Sequence, residues 1–184
     1  MSCDIIAGRG EACKSATSGI IAVYMMNFDD LDVPANTTFG STNDSDVITA
    51  IAGGSTDLFK FALKGNNSLE TNIVTSRENG TTYFETMLNI ELKRQDATTT
   101  KNVKLMAYGR PRIIVHTRGD QWFMCGFDQG MDIDSGSISS GSALGDFNGY
   151  KLSFKGEEEV APQFIDCTTE AELVTLMGGS VVIN

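Results

Sequence analysis

The stretch Thr81-Thr-Tyr-Phe-Glu-Thr-Met-Leu-Asn-Ile-Glu-Leu-Lys93 decides the fold. In an extended chain successive side chains point to opposite faces. Thr82, Phe84, Thr86, Leu88, Ile90 and Leu92 therefore fall on one side, and Thr81, Tyr83, Glu85, Met87, Asn89, Glu91 and Lys93 on the other. The first set is mostly apolar and the second mostly polar. A slip of one residue would turn the whole apolar set toward water, so the pattern alone says which face packs on a core.

Reading outward, Asn79-Gly80 is a dipeptide favoured in tight hairpins. It makes Leu69–Ser76 the natural antiparallel partner, entered through a turn at Gly65-Asn66-Asn67. Asp57–Lys64 alternates as well, with Phe59, Phe61 and Leu63 on one face. Ile20-Ile21-Ala22-Val23-Tyr24-Met25-Met26 is apolar at every position, as expected of a strand covered on both faces. Between these, residues 29–54 are acidic and rich in Asn, Thr and Ser, and read as a long exposed loop.

Downstream, Asp96–Tyr108 changes period: Val103, Met106 and Ala107 recur at helical spacing, Asp96 suits an N-cap, and Gly109-Arg110-Pro111 stops the helix. Arg112–Thr117 and Trp122–Phe127 form a strand pair around Arg118-Gly119-Asp120, and Tyr150, Leu152 and Phe154 mark a further strand. Thr168–Met177 reads as a short helix capped by Thr168 and ended by Gly178-Gly179, with strand-like Val181–Ile183 after it. Many short strands and few helices point to a mainly β chain, two packed antiparallel sheets in a sandwich or half-barrel with one flanking α-helix. The 184 residues suit one domain, spanning 1–184, with the loop at about 29–54 and a C-terminal extension at about 167–184.

The composition narrows the function. Twenty-four acidic against 14 basic residues give a formal net charge of −10, which repels a polyanion and disfavours any role that grips phosphates. Met-Ser-Cys-Asp-Ile-Ile has no basic segment leading into an apolar run, and no stretch is long and apolar enough for a membrane helix, so no membrane partner is expected. Cys3, Cys13, Cys125 and Cys167 lack metal-site spacing and read as reduced thiols of a protein made in a cytoplasm.

Several motifs invite chemistry and lack its context. Gly8-Arg-Gly-Glu-Ala-Cys-Lys14-Ser15 misses the second glycine of a phosphate-binding loop, where Cys13 stands, and a β-type run follows it in place of a helix. Arg118-Gly119-Asp120 sits where a hairpin turn is needed. His116 is the only histidine, and reads as a partly covered strand residue. Asp128, Asp132, Asp134 and Asp146 lack the downstream glutamate of a calcium loop, and Glu157-Glu158-Glu159 reads as a solvated turn. No catalytic residue, cofactor site or metal site is expected, and the chain reads as a non-enzyme.

Arg112-Ile-Ile-Val-His, Gln121-Trp-Phe-Met-Cys-Gly, Gly130-Met-Asp-Ile-Asp-Ser-Gly and Gly141-Ser-Ala-Leu-Gly-Asp-Phe-Asn-Gly-Tyr-Lys-Leu-Ser-Phe-Lys-Gly-Glu-Glu, followed by Ala161-Pro-Gln-Phe164, together resemble the major tail tube proteins of tailed bacteriophages. The resemblance covers about residues 55–166 and is sharpest over 141–166. It implies homohexameric rings whose inner strands join into one β-barrel, stacked into a hollow tube through which DNA passes as non-specific cargo. It further implies other tail proteins as partners (sheath or terminator, baseplate or hub) and a location in the virion tail, after synthesis in the host bacterial cytoplasm. The polar face carrying Glu70, Asn72, Glu85, Asn89 and Glu91 is the expected lumen. Lys14, Asp29, Asp30, Asp32, Asp44, Asp46, Arg110 and Arg112 are the expected ring-to-ring contacts. The alternatives are another virion ring or decoration protein, namely a tail terminator, neck ring or head decoration, or a bacterial secretion-tube protein.

Overall fold

The computed structural model describes residues 8–11, 13–14, 17–40, 46–52 and 56–183. Along the chain these form β1 (Ile20–Met26), α1 (Val33–Asn36), β2 (Thr37–Phe39), β3 (Val47–Ile51), β4 (Asp57–Ala62), β5 (Ser68–Ser76) and β6 (Thr81–Lys93). There follow α2 (Ala97–Tyr108), β7 (Arg112–Thr117), β8 (Trp122–Cys125), β9 (Asp132–Ser139), β10 (Gly149–Glu158), β11 (Gln163–Ile165), α3 (Glu170–Met177) and β12 (Ser180–Val182).

Two sheets result, an eight-stranded one in the order β12-β4-β1-β7-β8-β11-β3-β2 and a four-stranded one in the order β5-β6-β10-β9. The expectation of a mainly β chain with two sheets holds; the expectation that both are antiparallel does not. The small sheet is antiparallel throughout, but the large one contains parallel joins of β11 to β3 and of β12 to β4. Both parallel partners are far apart in sequence, and a parallel join requires such a long connection. Neither sheet closes into a barrel.

β1 shows why the large sheet lies in the middle. Ala22, Tyr24 and Met26 enter one buried cluster with Leu58, Ile114, Trp122, Leu173 and Met177. Val23 and Met25 enter the other, with Leu88, Ile90, Leu92, Val103, Tyr150 and Phe154. The strand is thus covered on both faces, as its unbroken apolar run requires. A bulge between Ile20 and Ala22 lets Ile20 join Val23 and Met25 on one face and leaves Ile21 40% exposed. The even-numbered set of β6 from Thr86 to Leu92 is buried, as its pleat dictates. Each fully buried Leu or Ile there stabilises the fold by about 1.5–3 kcal/mol.

Two helices of more than one turn, not one, cover the sheets. α2 starts where the Asp96 carboxylate accepts the Thr99 N–H at 2.7 Å and ends with the Gly109 N–H donating to Leu105 O at 3.0 Å. α3 packs Leu173 and Met177 on the other face of the large sheet. Its cap is Thr169, one residue beyond the expected Thr168. Thr169 and Glu172 form a reciprocal capping box, and Thr168 adds its N–H and hydroxyl to the same Glu172 carboxylate.

The segment 29–54 departs most from expectation. Its described part is no long loop: a 3-10 turn at Phe28–Asp30, α1, β2 and β3 follow one another, with Leu31, Val33, Ile48 and Ile51 buried. Isolated apolar residues among Asn, Thr and Asp anchor it, and the polar composition of an edge pair conceals the strand pattern.

Candidate assembly face

The outward face of the small sheet is built by β-sheet parity. In register, Asn72 lies opposite Glu85, Glu70 opposite Met87 and Ser68 opposite Asn89. Across the other side of β6, Glu91 faces Lys151, Asn89 faces Ser153, Met87 faces Lys155 and Glu85 faces Glu157. Glu70, Asn72, Glu85, Asn89 and Glu91 therefore share one surface, Glu70, Asn72 and Asn89 exposed and Glu85 and Glu91 half-buried.

That surface is less acidic than the expected lumen set, because β10 turns two lysines onto it. Lys151 Nζ lies 3.0 Å from Glu91 Oε1, and Lys155 Nζ lies 2.9 Å from both Glu85 Oε1 and Glu157 Oε1. Glu85 and Glu157 are directly opposed like charges, which Lys155 bridges. Hydrogen bonds to Glu157 and Glu85 hold the Lys155 ammonium above its ordinary pKa, so it stays charged. These lysines were legible as the polar alternates of Tyr150, Leu152 and Phe154. The face presents paired charges and amides, with its central cations already engaged.

Both edges of this sheet are open among the described residues. Among the described residues β5, 9 residues long, pairs only with β6, and β9, 8 residues long, pairs only with β10. Long unpaired edges expose rows of backbone N–H and C=O groups that template strand addition. Pairing of β10 with β6 ends at Glu158 and Phe84, so Thr81–Tyr83 and Val74–Ser76 continue as a two-stranded arm. Ile73 stands near its base, 68% exposed.

Of the expected ring-to-ring residues, Lys14, Asp29, Asp30, Asp32, Asp46 and Arg110 are exposed, and Asp44 lies outside the described residues. They do not form one cluster of contacts: Asp32 caps α1 through Ala35 N at 3.3 Å, Asp30 accepts from Asn27 Nδ2 at 2.9 Å, and the Arg110 guanidinium lies 4.0 Å from the Phe28 ring centre. Arg112 must be withdrawn from the set. It is 2% exposed, and its Nη1 donates to Phe28 O and Leu31 O at 2.7 Å each while its Nε donates to Phe127 O at 3.1 Å. A guanidinium engaged by three carbonyls of its own chain is an internal strut, not a free surface contact.

A second polar group joins α3 to the large sheet. Tyr24 Oη donates to Glu170 at 2.6 Å, Lys60 pairs with the same carboxylate, and His116 stacks on Trp122 at 3.9 Å. Burial pushes the Tyr24 hydroxyl up and draws His116 down, while Lys60 and Tyr24 hold Glu170 below the ordinary carboxylate range. Sequence separations of 110 and 146 residues hid this cluster from any local pattern. Its chemistry is that of a tether, a carboxylate saturated by two donors, with no nucleophile set beside a base.

The remaining motifs resolve locally. The Gly8–Ser15 segment lies partly outside the described residues, and the first described element after it is the strand β1 where a phosphate loop needs a helix. Arg118-Gly119-Asp120 is the β7–β8 turn, with Asp120 at φ 54°. Among the described residues no group of three or more His, Cys, Asp or Glu side chains converges as a metal site, and no helix is long and apolar enough to cross a membrane.

Fold and face together define a two-sheet β protein in which one small sheet has a polar outer surface and two open edges. Against known proteins, the chain matches no family model, no curated protein and no solved structure.

Proposed function

We propose that this chain is a tube-forming structural subunit, the major tail tube protein of a tailed bacteriophage, and not an enzyme. The observation that carries the reading is the β5-β6-β10-β9 sheet, antiparallel, polar outward, and, among the described residues, unpaired at both edges. Adding β9 of one copy to β5 of the next is a heterologous contact, and such contacts close into rings when the rotation permits. Six four-stranded sheets at a spacing of about 4.8 Å give a wall roughly 115 Å wide across its strands, so a closed ring is at least about 37 Å across between backbones and wider once the strands tilt. That bore admits a DNA duplex with its hydration.

The electrostatics suit passage better than capture. The net charge of −10 repels the polyanion, and Lys151 and Lys155, the two lysines in the middle of the face, are occupied by Glu91, Glu85 and Glu157. Phosphate binding scales with the cations free to displace counterions, so a wall of engaged lysines offers little hold. Apolar backing from Leu88, Ile90, Leu152 and Phe154 keeps the wall rigid behind its polar surface.

Negative-stain microscopy of the purified chain tests the reading. Hollow filaments of uniform width are expected. A chain that stays a monomer at high concentration, or stops at isolated rings, would overturn the tube assignment, single rings pointing to a terminator or neck component.

A further inference from the structure

We propose that the groove between α2 and β4 receives the β5–β6 hairpin arm, from Ile73 to its turn, of a second copy of this chain. The inference rests on the tube reading above and assigns one of the contacts that copies would make.

The groove has a volume of about 760 Å³, with Phe59 and Phe61 of β4 on one side and Leu105, Met106 and Tyr108 of α2 on the other. α2 inserts Val103 into the core, yet Leu105 is 59% and Tyr108 83% exposed. Residues three apart on a helix share a face, so these two make a second apolar surface that the subunit's own core does not use. A concave apolar patch with a polar rim marks a docking site. The rim here carries Asp29, Asp30 and Asp132, all exposed, with Arg110 beside them.

The hairpin is the matching projection. Ile73 is 68% exposed although its parity places it with the core-facing residues, and its register partner is Phe84. Beyond that pair the arm continues to a turn bearing Arg77 and Glu78, both exposed. Arg77 is complementary to the carboxylates of the rim, and Glu78 to Arg110. In a chain of net charge −10, copies repel, and a contact is selected where opposite charges meet. A two-stranded arm of this length covers well under the roughly 1,000 Å² of a stable interface. It therefore supplements strand pairing at the sheet edges and fixes how copies are oriented.

The test uses the full chain. Asn79→Cys, at the hairpin turn, is mixed with Asn102→Cys, at the groove, and treated with a bifunctional maleimide; a peptide joining positions 79 and 102 can then arise only between copies. That peptide is expected, and Ile73→Asp in the first variant should reduce it by roughly tenfold, equivalent to about 1.4 kcal/mol. Arg77→Asp should reduce it as well, and Asp29→Arg on the groove partner should restore it. Tubes that form without this cross-link, or that assemble unchanged with Ile73→Asp, would overturn the groove contact and leave the tube reading intact. A wild-type chain that never leaves the monomer would overturn both.

Discussion

Arg112 shows at the scale of one residue how a charge is spent internally. Burial draws its pKa below the ordinary guanidinium value, but arginine does not deprotonate in proteins; the charge persists because three carbonyls and the Phe28 ring, 4.1 Å away, receive it. Arg112→Met keeps the length and strands the carbonyls of Phe28, Leu31 and Phe127. We expect a loss of about 3–5 kcal/mol in urea unfolding, and Arg112→Lys should recover only part, since an ammonium cannot reproduce the fork. Unfolding left unchanged by Arg112→Met would contradict the strut role. Gly149 gives a second test: its φ is 155°, and a Cβ there would stand 2.0 Å from Leu92 O, inside the β6–β10 ladder. Gly149→Ala should force β10 away from β6 and destabilise the fold by more than about 1 kcal/mol, read as a lower denaturation midpoint. The buried thiols point the same way. Burial pushes the Cys167 thiol up to about 12, and Cys125 is raised as well, so neither should react with a thiol reagent until the chain unfolds.

α3 is the element whose stability should depend most on pH. Its first turn holds two carboxylates, Glu170 and Glu172, both held below the ordinary glutamate range. Lys60 and Tyr24 do this for Glu170, and the Thr168 and Thr169 backbone N–H groups with the Thr168 hydroxyl for Glu172. Since the folded-state pKa values lie below the unfolded value of about 4.3, their stabilisation is complete above that value and is lost as pH falls through the folded values. Amide exchange in α3 should therefore accelerate in acid before that of β6 does, and Glu170→Gln should weaken the helix at neutral pH while flattening its acid response. Simultaneous exchange of α3 and β6 at every pH would defeat this. How far each element was legible follows from where its determinants lie. β6, the β5–β6 hairpin, α2 and the β7–β8 pair carry their signals within themselves: a clean pleat, a turn dipeptide, a cap. That Glu70, Asn72, Glu85, Asn89 and Glu91 share one face of the small sheet followed from the same alternation. β2 and β3 carry no such signal, because an edge pair among Asn, Thr and Asp needs only Ile48 and Ile51 to anchor it. The parallel joins of β11 and β12, the Tyr24–Lys60–Glu170 tether and the burial of Arg112 depend on partners distant in sequence, which no local pattern reveals.

For the whole molecule, the sign of the salt dependence follows from comparing two electrostatic terms. Each copy carries −10, and at low ionic strength that repulsion extends over a Debye length of about 30 Å, which contracts to about 8 Å at 0.15 M. In the proposed assembly it would be opposed by exposed ion pairs between copies, worth about 0–1 kcal/mol each, and by strand-to-strand hydrogen bonds and apolar contacts, which simple salt weakens little. The long-range repulsion is summed over every charge of both copies, whereas the attractive pairs are few and local, so screening should favour assembly on balance. We expect light scattering from the purified chain to rise as salt is increased from about 0.01 M to 0.15 M. Lys155→Glu, which leaves Glu85 and Glu157 facing each other without their bridge, should need still more salt to reach the same level. Double-stranded DNA should not be retained in filter binding at either salt concentration, because the wall that copies would share has its central lysines already paired. Assembly that dissolves as salt rises would mean that ion pairs carry the contacts between copies, and the open edges of β5 and β9 could not then be what joins them.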